Sequence, residues 1–246
     1  MSNLFQWEFH SFIKGKKLLS FIIAALILAA VYVGIAIYTE VPNGITGVAE
    51  SAAFMSSLLV FICPVVAGLM IAQAFESRLI QASVMSGKSR FAVVVVKTLC
   101  FILLMFILML LTTTLSSLGI TLAKGWGEID LGGISAAQYI CSIIMFLALS
   151  VVGYSIVVPL AFYTKKIGSS IGLGFALSLA VYMLIEQMVK NENSHALLQY
   201  TPSGRSFFVL NDQSAGYWLG SFIVLVAWIF IYIGISYALI KNEELK

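Results

Sequence analysis

Charge is what this sequence has least of. Of its 246 residues, only 10% are Asp, Glu, Lys or Arg, while 61% are hydrophobic. A soluble domain is about a quarter charged and about half apolar, so a soluble fold is excluded. The apolar excess comes in blocks long enough to cross a bilayer, which takes about 20 residues. Alternating segments of about ten residues are missing, which excludes a transmembrane barrel. The net charge of +3 is small and includes no basic patch suited to nucleic acid. The three cysteines, Cys63, Cys100 and Cys141, all lie inside apolar runs with no CxxC or metal-ligand spacing, so they read as small core residues. The two histidines, His10 and His195, lie outside the apolar runs. No span therefore pairs a nucleophile with a base or gathers metal ligands, which excludes an intramembrane protease. The cores of spans one, two, four and six hold no Asp, Glu, Lys, Arg or His, although ion-coupled carriers usually keep such groups at the midplane.

What is present is a series of six apolar runs. The expected fold is an all-α, polytopic membrane protein forming a single transmembrane domain over 1–246. Residues 3–17, NLFQWEFHSFIKGKK, place Phe5, Phe9, Phe12 and Ile13 at the i, i+4, i+7, i+8 spacing of one helical face. His10, Lys14 and Lys17 lie roughly opposite, which describes a helix lying in the membrane interface. The apolar run that follows is too long for the h-region of a signal peptide. The spans are expected at about 19–38, 51–74, 91–118, 136–163, 169–188 and 217–240. Pro64 in the middle of span two predicts a kink. Thr112–Thr114 and Ser116-Ser117 in span three can bond back to their own helix carbonyls. GSSIG at 168–172 and GYWLG at 216–220 have the G-x-x-x-G spacing of close helix packing. Residues 197–210, LLQYTPSGRSFFVL, have two apolar ends around Pro202-Ser203-Gly204. They predict a pair of half-inserted helices forming a re-entrant segment on the outer side.

Orientation follows from the positive-inside rule. With the N-terminus in the cytoplasm, eleven Lys and Arg residues fall in inside segments and only Lys124, Lys190 and Arg205 outside. Both termini are then cytoplasmic in a multi-pass cell-membrane protein. The same count puts Gln73–Lys97 inside, the stretch where charge most densely interrupts hydrophobicity. A short helix fits over 76–85, with Leu79, Ile80, Val84 and Met85 on or near one face. Ser86-Gly87 would end it, and Lys88 and Arg90 precede the next span. Lys97 is placed to snorkel from the cytoplasmic end of span three. Ala82–Ser89, ASVMSGKS, nearly matches a P-loop, but the first glycine is Ala82 and a membrane span precedes it. The anion nest of a strand–helix junction is therefore missing.

This layout resembles the small six-span permease subunits of ABC-2 type ABC transporters. The likeness covers the whole chain in arrangement. In residues it rests on Phe75-Glu76, on Ser86-Gly87-Lys88-Ser89-Arg90 and on Lys97. The resemblance implies that 76–90 is a coupling helix seated in a separate ATPase subunit, through Glu76, Arg78, Leu79, Ile80, Val84, Lys88 and Arg90. ATP would be bound by that partner, so the chain itself would carry no cofactor and no enzymatic activity. It also implies a second permease copy or a paralogous permease, lipid as the surrounding partner, and export of a peptide or another amphipathic substrate, with bacteriocin export or immunity among the roles. Glu186, Pro202 and Arg205 are the candidate substrate or outer-gate contacts. Two alternatives compete: a membrane immunity or scaffold protein that binds a toxin without transport, and an ion-coupled secondary carrier. The empty midplane counts against the carrier.

Overall fold

The computed structural model describes residues 5–6, 16–39, 44–125, 135–191, 194–210 and 214–241. Among these the fold is entirely helical, and six helical segments are long and apolar enough to cross a membrane. The predicted interfacial helix at 3–17 lies largely outside the described residues, as do the loop 126–134 and the charged tail.

The six spans match the hydrophobic blocks closely. Helix α1 is Lys16–Tyr38 and α2 is Gly44–Ala67. A π-helical turn, Gly68–Ala72, links α2 to α3, Gln73–Glu76, and together these form span two. The short helix α4 is Leu79–Met85, and α5, Arg90–Lys124, is span three. Span four is split into α6, Ala136–Tyr154, and α7, Val157–Thr164. Span five is α8, Ile167–Lys190. The short helices α9, His195–Leu198, and α10, Pro202–Val209, precede α11, Ala215–Lys241, which is span six.

Local chemistry explains several of these limits. The Ser89 hydroxyl caps α5 by accepting from the Ala92 amide at 3.2 Å. Ser135 and Gln138 form a capping box at the start of α6. Span four breaks at Ser155-Ile156, four residues before Pro159, because the proline ring has no N–H for the Ser155 carbonyl and collides with it. The Ser155 amide instead shares the Val151 and Val152 carbonyls, at 3.0 and 3.1 Å. Pro64 lies inside α2, which stays α-helical to Ala67, and the π turn begins at Gly68. The sequence pattern predicts a kink in span two and a continuous span four over 136–163, so the break before Pro159 is a finding of the structure.

Spans two, three and four form the centre, and spans one, five and six expose most of their side chains around it. Phe101, Phe162, Met105, Leu147 and Leu149 are among the side chains fully closed off in the core. Helix α5 has 35 residues, about 50 Å at 1.5 Å per residue, and so exceeds a hydrocarbon core of about 30 Å. Of the hydroxyls expected to bond back, Thr112, Thr114, Ser116 and Ser117 do, with Thr112 Oγ1 donating to the Leu108 carbonyl at 2.9 Å and Ser116 Oγ to the Thr112 carbonyl at 2.8 Å. The buried Thr113 hydroxyl has no hydrogen-bond partner among the described residues.

The two G-x-x-x-G motifs behave differently. Gly168, Gly172 and Gly216 have open space where a Cβ would stand, so GSSIG makes no close helix contact within the chain. Gly220 is packed, and its neighbour is the guanidinium of Arg205, not a helix backbone. The close helix approaches are elsewhere, at Gly174 against Pro64 and at Gly153 against Ser203.

Candidate functional site

The stretch between spans two and three folds into a short helix between two turns, but the helix begins at Leu79 and not at 76, because Glu76 ends span two and Ser77-Arg78 form the first turn. Arg78 begins α4 in the left-handed region at φ 57°, and Gly87 ends the segment at φ 86°. A left-handed non-glycine residue costs on the order of 1 kcal/mol. Lys165, in the turn between α7 and α8, adopts the same conformation at φ 53°. Glycine would fit both positions better, yet each holds a cation, and both turns lie on the same side of the bundle.

The predicted ridge divides into an inner and an outer part. Ile80 is buried and Val84 half-buried, while Leu79 is 46% and Met85 87% exposed. Arg78 is exposed and Lys88 half-buried. Ile80 therefore seats α4 on the bundle. The exposed surface here consists of Leu79, Ala82 and Met85 of α4 with Arg78 in the turn before it.

Glu76 and Arg90, at the two ends of this stretch, are engaged within the chain. Glu76 Oε1 accepts from the Ile167 amide at 2.8 Å. That amide is the first of α8 and has no intrahelical acceptor, so the carboxylate both satisfies it and complements the positive end of the helix dipole. Arg90 donates to the Ile240 and Lys241 carbonyls, at 3.0 and 2.8 Å. Those carbonyls are orphans at the C-terminal end of α11, where a cation is favoured. Phe91 stacks edge-on with Tyr237 at 5.4 Å beside them. Glu76 thus ties the stretch to span five and Arg90 ties it to span six.

A third tie passes through the π turn. Lys97 is 7% exposed, and its Nζ lies 3.5 Å from the Met70 carbonyl. The expected snorkelling toward water is not seen; the ammonium turns inward instead, toward span two. Gly68, in the same turn, leaves room for the Ile171 side chain of α8. Phe75 meets Phe162 edge-on at 6.0 Å, and Lys165 Nζ sits 5.8 Å from the Phe75 ring. Burial pushes the Lys165 pKa below its ordinary value.

The opposite side of the bundle carries the other candidates. Glu186 forms an i,i+4 ion pair with Lys190 at 2.8 Å on the exposed surface of α8. Pro202 is buried at the first position of α10, where a missing N–H costs nothing. The turn of the re-entrant pair is therefore Gln199–Thr201, not Pro202–Gly204 as expected. The Thr201 hydroxyl caps α10 by accepting from the Gly204 amide at 3.2 Å. Arg205 donates from Nε to Ser221 Oγ at 2.8 Å, and from its two terminal nitrogens to the Gln199 carbonyl at 3.0 Å and the Tyr217 carbonyl at 3.2 Å. It also lies 4.3 Å from the Tyr217 ring centre. Arg205 is thus the pin between the re-entrant pair and α11.

The pair does enter the bundle. Trp228 Nε1 donates to the Tyr200 carbonyl at 2.9 Å, about 20 Å along α11 from its start. Ser203 packs on Gly153, and Tyr232 Oη donates to the Gly153 carbonyl at 3.4 Å. Non-helical backbone at this depth is tolerated because protein groups satisfy it.

No protein-family model matches the chain, and no curated protein matches it at a significant level. The fold alone defines the class: a multi-pass, all-helical membrane protein.

Proposed function

We propose that this chain is the permease subunit of an ATP-driven transporter of the ABC-2 type, resident in the cell membrane with both termini in the cytoplasm. It works with a separate ATPase and a second permease copy or paralogue, and it exports a peptide or another amphipathic substrate. Residues 76–90 receive the partner. The observation that carries this reading is the pairing of an exposed face on α4, Leu79 and Met85, with internal ties at both ends of the same stretch. A displacement of α4 is transmitted to spans five and six through Glu76 and Arg90, and to the π turn of span two through the chain itself. The two cations in left-handed turns add support, since they hold positive charge on that side at a cost in backbone strain.

The test is isolation of the chain with candidate ATPases from native membranes, using wild type and an R78E/K88E variant. Both substitutions leave the internal ties intact. The expected result is a stable complex whose ATPase component is reduced at least about tenfold by the charge reversal. Retention of the ATPase at wild-type level in the R78E/K88E variant, with Leu79→Asp and Met85→Asp added, overturns the coupling role.

A further inference from the structure

A serine-rich cavity lies inside the fold, and none of the candidate site residues read from the sequence lines it. It holds about 300 Å³ between α2, α6, α8 and α10. That is at the small end of the range for organic ligands, about 300–1,000 Å³. Five serines and two tyrosines are among its twelve lining residues, and none of the twelve is Asp, Glu, Lys, Arg or His. Ser150 and Ser57 stand about 20 Å along their helices from the ends nearest the re-entrant pair. The cavity therefore lies near mid-depth, beside α10.

The hydroxyls are oriented in a consistent way. Ser56 and Ser57 donate to the Ala53 and Phe54 carbonyls, each at 2.7 Å. Ser150 donates to Phe146 and Ser206 to Ser203, each at 2.8 Å. Four of the five serines have spent their single proton on their own helix, and their oxygen lone pairs remain. The wall is thus rich in acceptors, with the Tyr154 and Tyr182 phenols adding O–H groups at one end and Phe146, Phe207 and Ile185 supplying an apolar remainder.

We infer that this cavity is a binding site for an uncharged amphipathic ligand that presents N–H or O–H donors along one edge of a hydrocarbon body. An anion finds no Lys, Arg or His among the lining residues. A cation finds no carboxylate, and an unpaired charge at membrane depth is costly. A neutral donor replaces water at the serine oxygens and buries its apolar body against the aromatic side chains. Two sources share this chemistry: an uncharged stretch of peptide and the glycerol hydroxyls of a neutral lipid. The re-entrant helix α10 supplies Ser203, Ser206 and Phe207 to the wall, so access depends on where Arg205 holds that helix. The site stands whether or not an ATPase drives the chain, and its binding is measured without ATP.

The probe is the photoreactive amide N-acetyl-4-benzoylphenylalaninamide, irradiated with the purified full chain in phosphatidylcholine nanodiscs. Adducts are mapped by peptide mass spectrometry. The expected result is labelling on α6, α8 or α10. N-acetylphenylalaninamide should compete at least about fivefold better than its anionic analogue N-acetylphenylalanine or its cationic analogue phenylalaninamide. Competition by the amide but not by monoolein assigns the peptide source, and the reverse assigns the lipid source. Ser57→Leu, which fills the cavity from α2, should reduce labelling at least about fivefold. Ser206→Ala, which keeps the shape and removes an acceptor, should weaken competition by the amide. Equal competition by all three analogues, labelling confined to the lipid-facing surfaces, or labelling unchanged in a Ser57→Leu variant that elutes and melts as wild type, each overturns the site.

Discussion

Arg90 and Arg205 hold the same helix by opposite ends, and they do so by different physics. Arg90 sits at the C-terminal end of α11, where the Ile240 and Lys241 carbonyls have no intrahelical donor. The helix dipole favours a cation there, so a point charge supplies much of what is needed. Arg205 sits near the N-terminal end of α11, where the dipole opposes it. It stays because three donors reach three differently placed acceptors, one of them on the re-entrant turn, while its plane lies on the Tyr217 ring and Gly220 makes room for it. One end of span six is held mainly by charge and the other by shape.

That contrast can be broken experimentally. The largest expected effect is at Arg205. Arg205→Ala leaves part-buried acceptors unsatisfied and should cost about 2–4 kcal/mol, seen as a lowered thermal midpoint and faster amide exchange in α9 and α10. Arg205→Lys should recover little, because an ammonium cannot reproduce the planar fork. Gly220→Val should give the same exchange pattern, and combining it with Arg205→Ala should be clearly sub-additive.

At the other end, Arg90→Ala should cost about 1–2 kcal/mol, with Arg90→Lys recovering about half. If lysine is as poor a substitute at 90 as at 205, the distinction between charge and shape is wrong. A smaller effect of opposite sign is expected in the turn before α4. Arg78→Gly should raise stability by about 0.5–1 kcal/mol through relief of the left-handed backbone, while weakening recovery of the ATPase. Smallest of all is Glu186→Ala. Its ion pair with Lys190 is exposed on both sides, and such pairs contribute little, so the thermal midpoint should not move measurably. A large loss there would restore Glu186 as a substrate or gate residue.

The two regions also differ in how far the sequence disclosed them. Six apolar blocks gave six spans with limits close to those observed, because hydropathy is summed along the chain and a bilayer imposes one length. Helix α4 was legible from a local interruption in that hydropathy. Its ties were not. Glu76 meets an amide 91 positions away and Arg90 meets carbonyls 150 and 151 positions away, and no local pattern encodes such pairings. Charge density marked both residues for a partner's surface, whereas the helix ends of the same chain use them first. Lys97 misled for a related reason: distance from the span end suggested water, but the π turn placed the Met70 carbonyl nearer. The serine cavity was invisible because its residues are scattered over four helices, each reading as an ordinary helix serine or tyrosine. Only the re-entrant segment combined a local signal, apolar ends around a proline, with a tertiary role.

The account depends most on the exposed face of α4. The direct measurement is photocrosslinking in native membranes with p-benzoylphenylalanine at position 85, where the side chain is 87% exposed. Position 103 on the apolar flank of α5 serves as the control. The account predicts an adduct at 85, absent at 103, whose partner carries ATPase activity and disappears when Arg78 and Lys88 are reversed in charge. An adduct at 85 that is only lipid, or none at all while the ATPase still co-purifies, contradicts it.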